Sequence, residues 1–293
     1  MMSNTAMLTE LPHSQVDLYD FKIIPLVNYY KKKNEYPLDI EKPHRMGYNT
    51  ILIITSGLGK HYIDFKPVDY TNGTVVFVAK DQVQSFDIKP GNSGYLIFFT
   101  DEFLEKNAVG FQALSHTWIY NYHVNIPKIQ VNAEMREHFF DIIEKIYHEY
   151  KAGNVYAKTE VIKTLLYLLL IKSERIKREL INNNALNRSN LIFEFIDFTR
   201  QNISKTRNAK DIAKLMKISY KHLNNVCKQC LNKTSKEFID EFIVIEAKRI
   251  LISTDYTVKE ITAMLGFDEP TNFVKYFKKH TGFSPAGFRK NFL

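Results

Sequence analysis

The feature that most constrains the fold is a change of hydrophobic pattern near Ala133. Between about Tyr48 and Thr100, short runs rich in Ile, Val, Phe and Tyr alternate with turn signals such as Asn72-Gly73; the runs are YNTILIIT, KHYIDFK, TVVFVA, VQSFDI and GYLIFFT. Strands at this spacing predict an antiparallel barrel or sandwich, and a small barrel can enclose one ligand. From Ala133 onward, apolar residues recur at helical spacing instead.

Two helices are predicted directly after the strands, one from Ala133 and one from about Tyr156 to Leu180. Apolar residues cover more of the second helix than one barrel face needs. Two interpretations remain open: burial within the same chain, or packing against a second copy in a homodimer. In the second case the candidate dimer contacts are Leu165, Leu166 and Leu169.

The length of 293 residues predicts about two domains. Five asparagines between residues 181 and 190 interrupt the helical pattern, so we expect domains at 1–181 and 190–293, with a linker at 182–189. The net charge of +8 lies entirely in the last third of the chain. Residues 1–185 carry 21 basic and 21 acidic side chains, and residues 186–293 carry 19 and 11. This asymmetry predicts a polyanionic partner for the C-terminal domain.

Several classes of protein are disfavoured. The longest apolar run, Leu165 to Ile171, is far shorter than the roughly 20 residues of a membrane span. The N-terminus has no basic segment followed by an apolar one, which would mark export, and two cysteines cannot staple a secreted fold of this size. A cytoplasmic protein without a membrane partner is therefore expected.

The C-terminal part is predicted to be all helical and weakly repetitive, with a period of about 50 residues. Seven helices are expected, at 190–202, 208–216, 219–230, 235–253, 257–265, 269–280 and 284–291. Each repeat reads as a helix, a tight turn and a second helix, which is the helix-turn-helix arrangement. The second repeat has Gly266 in its turn, whereas the first has Lys217, which costs free energy if that residue needs a positive φ.

The run AKRILISTDYTVKEITAMLGFDEPTNFVKYFKKHTGFSPAGFRK resembles the C-terminal signature of the AraC/XylS family of bacterial transcription regulators. The resemblance implies an α+β protein of two domains: a cupin-like N-terminal β-barrel with helices, and an all-α domain of two helix-turn-helix motifs joined by a long helix. Cys227 and Asn232 depart from the family pattern, in which an aromatic residue and a glycine are usual. Phe242 and Ile243 stand where members often carry an arginine.

The position of each residue in the two motifs predicts how the chain contacts duplex DNA. The second helix of a helix-turn-helix enters the major groove, and Asn, Lys and Thr side chains can read base edges there. The candidate base-reading residues are Lys221, Asn224, Asn225, Thr271, Asn272 and Lys275. Candidates for phosphate contacts are Lys210, Lys228, Lys278, Lys279, Arg289 and Lys290. The connecting helix is about 28 Å long, which is close to the spacing of about 34 Å between successive major grooves on one face of DNA. The second helices of the two motifs can therefore enter successive major grooves.

The family resemblance implies that promoter binding is modulated by a small effector in the N-terminal domain. It also makes activation the more usual mode of regulation, with RNA polymerase as a further candidate partner. The candidate pocket residues are Tyr48, His61, Ile63 and Phe65, three of which alternate along one predicted strand. No catalytic role and no cofactor are expected. The alternatives are a metal-dependent cupin enzyme, or a redox or metal sensor using Cys227 and Cys230.

Overall fold

The computed structural model describes residues 20–36, 39–89, 91–105, 117–123, 126–181 and 183–292. Residues 1–19 of the predicted N-terminal domain, Asn182 of the predicted linker and Leu293 lie outside these ranges. The chain divides into two compact units, Met1–Leu180 and Ile181–Leu293. The predicted α+β class, with a strand-rich N-terminal part and a helical C-terminal part, is confirmed.

The N-terminal unit contains two antiparallel sheets. Among the described residues of this unit, the strands are β1 (Phe21–Pro25), β2 (His44–Arg45), β3 (Asn49–Ser56), β4 (Gly59–Ile63), β5 (Lys66–Tyr70), β6 (Thr74–Val78), β7 (Val83–Phe86), β8 (Ser93–Phe99) and β9 (Lys128–Gln130). The five-stranded sheet has the order β1-β8-β3-β6-β9, and the four-stranded sheet has the order β2-β7-β4-β5. The segment KHYIDFK, predicted as one strand, breaks at Asp64 and Phe65, whose positive φ angles turn the chain from β4 into β5.

The five-stranded sheet is covered on both faces, which explains its long apolar strands. Along β3, Ile51 and Ile53 belong to one core cluster, whereas Leu52 and Ile54 belong to a second. The first cluster lies against the helices of this unit. The second fills the space between the two sheets, where residues of β4, β5 and β7 also contribute. In the four-stranded sheet, β4 and β5 alternate buried and exposed positions, as expected when one face is solvated, whereas β7 is buried throughout.

The helices of the N-terminal unit are α1 (Leu26–Lys31), α2 (Asp101–Glu105), α3 (Ala133–Lys151) and α4 (Lys158–Glu179). Two of the three candidate dimer contacts on α4 are not available to a second copy. Leu166 and Leu169 are fully buried in the core of their own chain, and Leu165 is half-buried against it. The face of α4 that packs in this core contains Ile162, Leu166, Leu169 and Leu170. Val161, Leu168 and Ile171 lie on another face of the helix and are exposed.

The C-terminal unit contains eight helices among its described residues. They are α5 (Asn183–Asn187), α6 (Ser189–Asn202), α7 (Ala209–Leu215), α8 (Tyr220–Leu231), α9 (Ser235–Ser253), α10 (Val258–Met264), α11 (Pro270–Thr281) and α12 (Pro285–Phe292). The seven predicted helices all occur, with bounds within one residue. Within the predicted linker, Asn183–Asn187 forms a short helix in which Ala185 is buried. Within the described ranges, no helix combines the length and the apolar character that a membrane crossing requires.

Candidate nucleic-acid interface and interior polar cluster

The two helix-turn-helix motifs, α7–α8 and α10–α11, share one turn geometry. Lys217 and Gly266 occupy equivalent positions with φ of +57° and +69°. After each of them, a backbone N–H reaches back five residues: Ile218 donates to the carbonyl of Ala213 and Phe267 to that of Thr262, both at 3.0 Å. The repeat seen in the sequence is therefore a repeat of backbone hydrogen bonds, and Lys217 adopts the left-handed conformation that its position requires.

Short polar side chains fix where these helices begin. Ser219 accepts a hydrogen bond from the backbone N–H of His222 at the start of α8. Thr257 and Glu260 form a capping box at the start of α10, and Thr234 with Glu237 forms a second one at the start of α9. The sequence contained this second signal, since threonine followed three residues later by glutamate is the pattern of a capping box.

The start of the second recognition helix, α11, presents its predicted base-reading side chains to solvent. Thr271, Asn272 and Lys275 are all exposed, whereas Phe273 and Phe277 on the opposite face are fully buried. The same division holds on α8, where Lys221 and Asn225 are exposed and the apolar residues face inward. Exposed donors and acceptors on one face of each helix are what direct reading of base edges requires.

Asn224 has a different role from the other candidates. Its Oδ1 atom accepts hydrogen bonds from the backbone N–H of Ser235 at 3.1 Å and from the Ser235 hydroxyl at 3.3 Å. Asn224 therefore joins α8 to the start of α9. Because reading adenine takes both the oxygen and the nitrogen of an asparagine amide, Asn224 cannot make that contact while it holds Ser235.

The predicted phosphate contacts divide in the same way. Lys210, Lys228, Lys278, Lys279 and Lys290 are exposed. Arg289 instead donates three hydrogen bonds to backbone carbonyls: Nε to Leu251 at 2.8 Å, and one Nη to Thr254 at 3.2 Å and to Tyr256 at 2.7 Å. Arg289 thus satisfies carbonyls at the end of α9, which have no partners inside the helix.

The two cysteines lie on α8 and show no sign of a reactive site. Cys227 is fully buried, and burial raises the pKa of its thiol to about 12. Burial also raises the pKa of Cys230, so neither thiol has the thiolate character that redox or metal chemistry uses. No group of three or more His, Cys, Asp or Glu side chains in the described part of the chain is arranged to hold a metal ion.

The N-terminal unit contains an unusual set of polar groups between its two sheets, here called the interior polar cluster. Its members are buried, and each has one side-chain atom without a hydrogen-bond partner among the described residues; they are His44, Tyr48, Thr50, His61 and Gln84. Register places His44 opposite Gln84, and Gln84 opposite Ile63, on the inner face of the four-stranded sheet. Thr50 pairs with Phe98 and Val78 of the inter-sheet core.

Hydrogen bonding fixes the chemistry of this cluster. The Nε2 atom of His61 lies 3.0 Å from Oε1 of Gln84, which can only accept, so Nε2 carries the proton and Nδ1 is a free acceptor. Burial lowers the pKa of His61 to about 3 and also lowers the pKa of His44, so both imidazoles are neutral. Burial raises the pKa of Tyr48, which keeps its hydroxyl protonated. All five members are therefore uncharged at neutral pH.

Three of the four predicted pocket residues face this interior. Tyr48, His61 and Ile63 are buried there, but Phe65 is not, because β4 ends at Ile63 and Phe65 occupies the turn that follows. The sequence analysis missed His44, Thr50 and Gln84 as members. Only the strand pairing shows that they share one face with His61 or point toward it, since their separations along the chain carry no such signal.

Comparison with known proteins agrees with this geometry. Residues 212–291 match the Helix-turn-helix domain family. The chain is 30% identical over 97 residues to the lactose operon transcription activator of Staphylococcus xylosus, a match that covers 33% of this chain and about a third (35%) of that protein. It is 22% identical to the HTH-type transcriptional activator RhaS of Escherichia coli O6:H1 over 84% of this chain and 87% of RhaS.

Among solved structures, ToxT from Vibrio cholerae O395 aligns over 86% of this chain and 92% of its own, with 14% identity and a TM-score of 0.45. The motif match at residues 212–291 and the relatives that share it agree with the family signature in the sequence. Residues 212–291 therefore form a helix-turn-helix domain similar to that of the AraC-type transcriptional regulators.

Proposed function

We propose that this protein is a sequence-specific DNA-binding regulator of transcription. The observation that carries the proposal is the pair of helix-turn-helix motifs with matching turns, each presenting exposed polar residues at the start of its second helix. The C-terminal third also holds the whole net charge of +8, which favours binding to a polyanion. Activation is the proposed sign of regulation, because the relatives reported above are transcription activators.

Selection of binding sites from a random duplex library, with the full-length protein, tests this proposal directly. The expected result is an enriched site with two short motifs about one helical turn apart, one for each recognition helix. Affinity for that site should fall steeply with salt, because counterions are released as phosphates are neutralised. Absence of binding at low salt, or binding with no enriched sequence, would refute the proposal.

The N-terminal unit is proposed to bind a small effector in the interior polar cluster. The support is chemical: buried polar groups without partners are costly, and a bound molecule would supply the missing hydrogen bonds. The cluster offers acceptors at His61 Nδ1 and His44 Nε2, and donors at Gln84 Nε2 and the two hydroxyls. Since none of these groups is charged, the ligand class that fits is a small uncharged molecule with both donors and acceptors.

A thermal-shift screen of neutral and charged metabolites, read through Trp118 fluorescence, tests the effector proposal. Trp118 is the only tryptophan and is buried in the N-terminal unit, so it reports unfolding of that unit. A ligand at 100 times its Kd raises the free energy of unfolding by about 2.7 kcal/mol. Tyr48→Phe should weaken the response to the hit, while Tyr62→Phe, an exposed change on β4, should not. Equal responses of the two variants would contradict the proposed site.

Homodimerisation is proposed to use the exposed face of α4 rather than the residues first assigned to it. Val161, Leu168 and Ile171 are each about 40% exposed. Their spacing of seven and three residues puts them on one side of the helix. A two-fold dimer would bury this patch on both copies at once.

A further inference from the structure

The C-terminal unit contains a cleft lined largely by residues 205–210, which lead from α6 into α7. Its volume is about 590 Å³. The first residue of α8, Tyr220, lines one part of it, and Gly266 and Asp268, in the turn that leads into α11, line another. The cleft thus borders the beginning of α8 and the turn that leads into α11, the two helices that are proposed to enter the DNA.

The lining of this cleft is strongly basic. Four cationic side chains contribute to it: Lys205, Arg207, Lys210 and Lys236. Within the described part of the chain, Asp268 is the one acidic residue of the lining, and none of the four cations forms an ion pair with a described carboxylate. Unpaired cations gathered around a concave surface attract an anion, because their fields add where low-dielectric walls exclude water.

Arg207 is already held in place for such a contact. Its guanidinium lies over the ring of Phe267, 3.7 Å from the ring centroid, and the side chain is half-buried. Stacking fixes the plane of the guanidinium, so less side-chain entropy is lost when its donors bind two oxygens of one phosphate. The three lysines are exposed and can reach neighbouring phosphates as point charges.

The position of the cleft indicates which anion it receives. When two recognition helices enter successive major grooves on one face of DNA, the segment between them is a minor groove bordered by sugar-phosphate backbone. We infer that this cleft binds the DNA backbone between the two major-groove sites, with Lys205, Arg207 and Lys236 joining Lys210 in phosphate contacts. The inference rests on the proposed function, and it adds three residues that the motif positions do not indicate.

The test measures the salt dependence of binding by the full-length protein to a 40-base-pair duplex of random sequence, between 50 and 200 mM salt. Random duplex suffices because phosphate contacts are independent of sequence. The main variant is Lys205→Gln with Lys236→Gln, two exposed positions whose substitution leaves the packing intact. Arg207→Gln is measured separately, because it also removes the contact with Phe267. The control is Lys60→Gln with Lys66→Gln, two exposed lysines of the N-terminal unit that remove the same charge.

Each lost phosphate contact lowers the slope of log K against log salt by about 0.9, so the Lys205/Lys236 variant should lose about 1.8. Its affinity should then fall roughly tenfold less than that of wild type over this salt range. The control should keep the wild-type slope. A Lys205/Lys236 variant with the wild-type slope would overturn the inference while wild-type binding still supported the proposed function; no binding by wild type would overturn both.

A second arm distinguishes the DNA backbone from a free phosphorylated ligand. Unfolding of the wild type and of the Lys205/Lys236 variant is followed with and without inorganic phosphate, with sulfate as a control for general salt effects. The expected result is the same phosphate effect on both proteins. Stabilisation by phosphate of the wild type alone, together with an unchanged DNA slope in the variant, would assign the cleft to a small anion and overturn the inference.

Discussion

Replacing Gly266 by alanine tests whether the turn of the second motif needs glycine for two separate reasons. The residue has a φ of +69°, and a Cβ atom there would lie 2.8 Å from the carbonyl oxygens of Ile203 and Ser204. The left-handed conformation costs an L-residue about 1–2 kcal/mol. Relieving a close contact with backbone, which cannot rotate away, costs about 1–3 kcal/mol more.

Alanine also lowers the conformational entropy of the unfolded chain, which raises the free energy of unfolding by about 0.4–1 kcal/mol. The net expectation for Gly266→Ala is a loss of about 1–5 kcal/mol from the C-terminal unit, with a midpoint of about 3 kcal/mol. Urea unfolding followed by circular dichroism at 222 nm should show the helical transition about 1 M lower. Fluorescence of Trp118, which lies in the other unit, should report an unchanged transition if the two units unfold independently.

Lys217→Gly is the matched control, because it makes the opposite change at the equivalent turn of the first motif. Glycine removes the left-handed cost but adds entropy to the unfolded chain, so we expect a stability within about 1 kcal/mol of wild type. A Gly266→Ala variant that loses under about 0.5 kcal/mol, or a Lys217→Gly variant that loses as much as Gly266→Ala, would refute the reasoning.

Three further outcomes are expected. Lys275→Ala should weaken the selected DNA site by about 1–3 kcal/mol and random duplex much less, whereas Lys279→Ala should weaken both alike; identical profiles in competition titrations would mean that the recognition helix is misplaced. Leu166→Lys should unfold the N-terminal unit, because it buries an unpaired charge. Leu168→Lys, at an exposed position, should keep the native circular dichroism spectrum and sediment as a monomer. A soluble, folded Leu166→Lys protein would contradict the packing of α4. Finally, His61 has a folded pKa near 3 and an unfolded value near 6.5, so the unfolded state binds more protons between these limits. The free energy of unfolding should therefore decrease as the pH is lowered from about 6.5 toward 3, by up to about 1.4 kcal/mol per pH unit. His61→Gln should flatten that dependence in denaturant titrations of the Trp118 signal, and an equally steep profile in this variant would place the proton uptake elsewhere.

The helical C-terminal unit was predictable almost residue by residue. Its helix bounds follow from signals such as Thr257 with Glu260, which act over three or four residues and are therefore written in the sequence. The positive φ at Lys217 follows from its position in the repeat, which is equivalent to that of Gly266.

The strands could be predicted less completely than the helices, because the strands that pair with one another are distant in sequence. Phe21–Pro25 and Lys128–Gln130 are short and carry no clear pattern, yet they form the two edges of the five-stranded sheet by pairing with β8 and β6. Their conformation is supplied by the neighbouring strand rather than by local preference, since β propensity depends strongly on context.

The sequence alone thus determined the class of fold, the helix-turn-helix repeat and the residues at the start of each recognition helix. Tertiary structure alone decided which of these side chains are available. Arg289 is occupied by carbonyls 33 to 38 residues away, Asn224 by the start of α9, and Leu166 by the sheet that it covers. Helix periodicity and capping are local interactions, whereas the partner of a long polar side chain and the buried face of a helix depend on elements that meet only after folding.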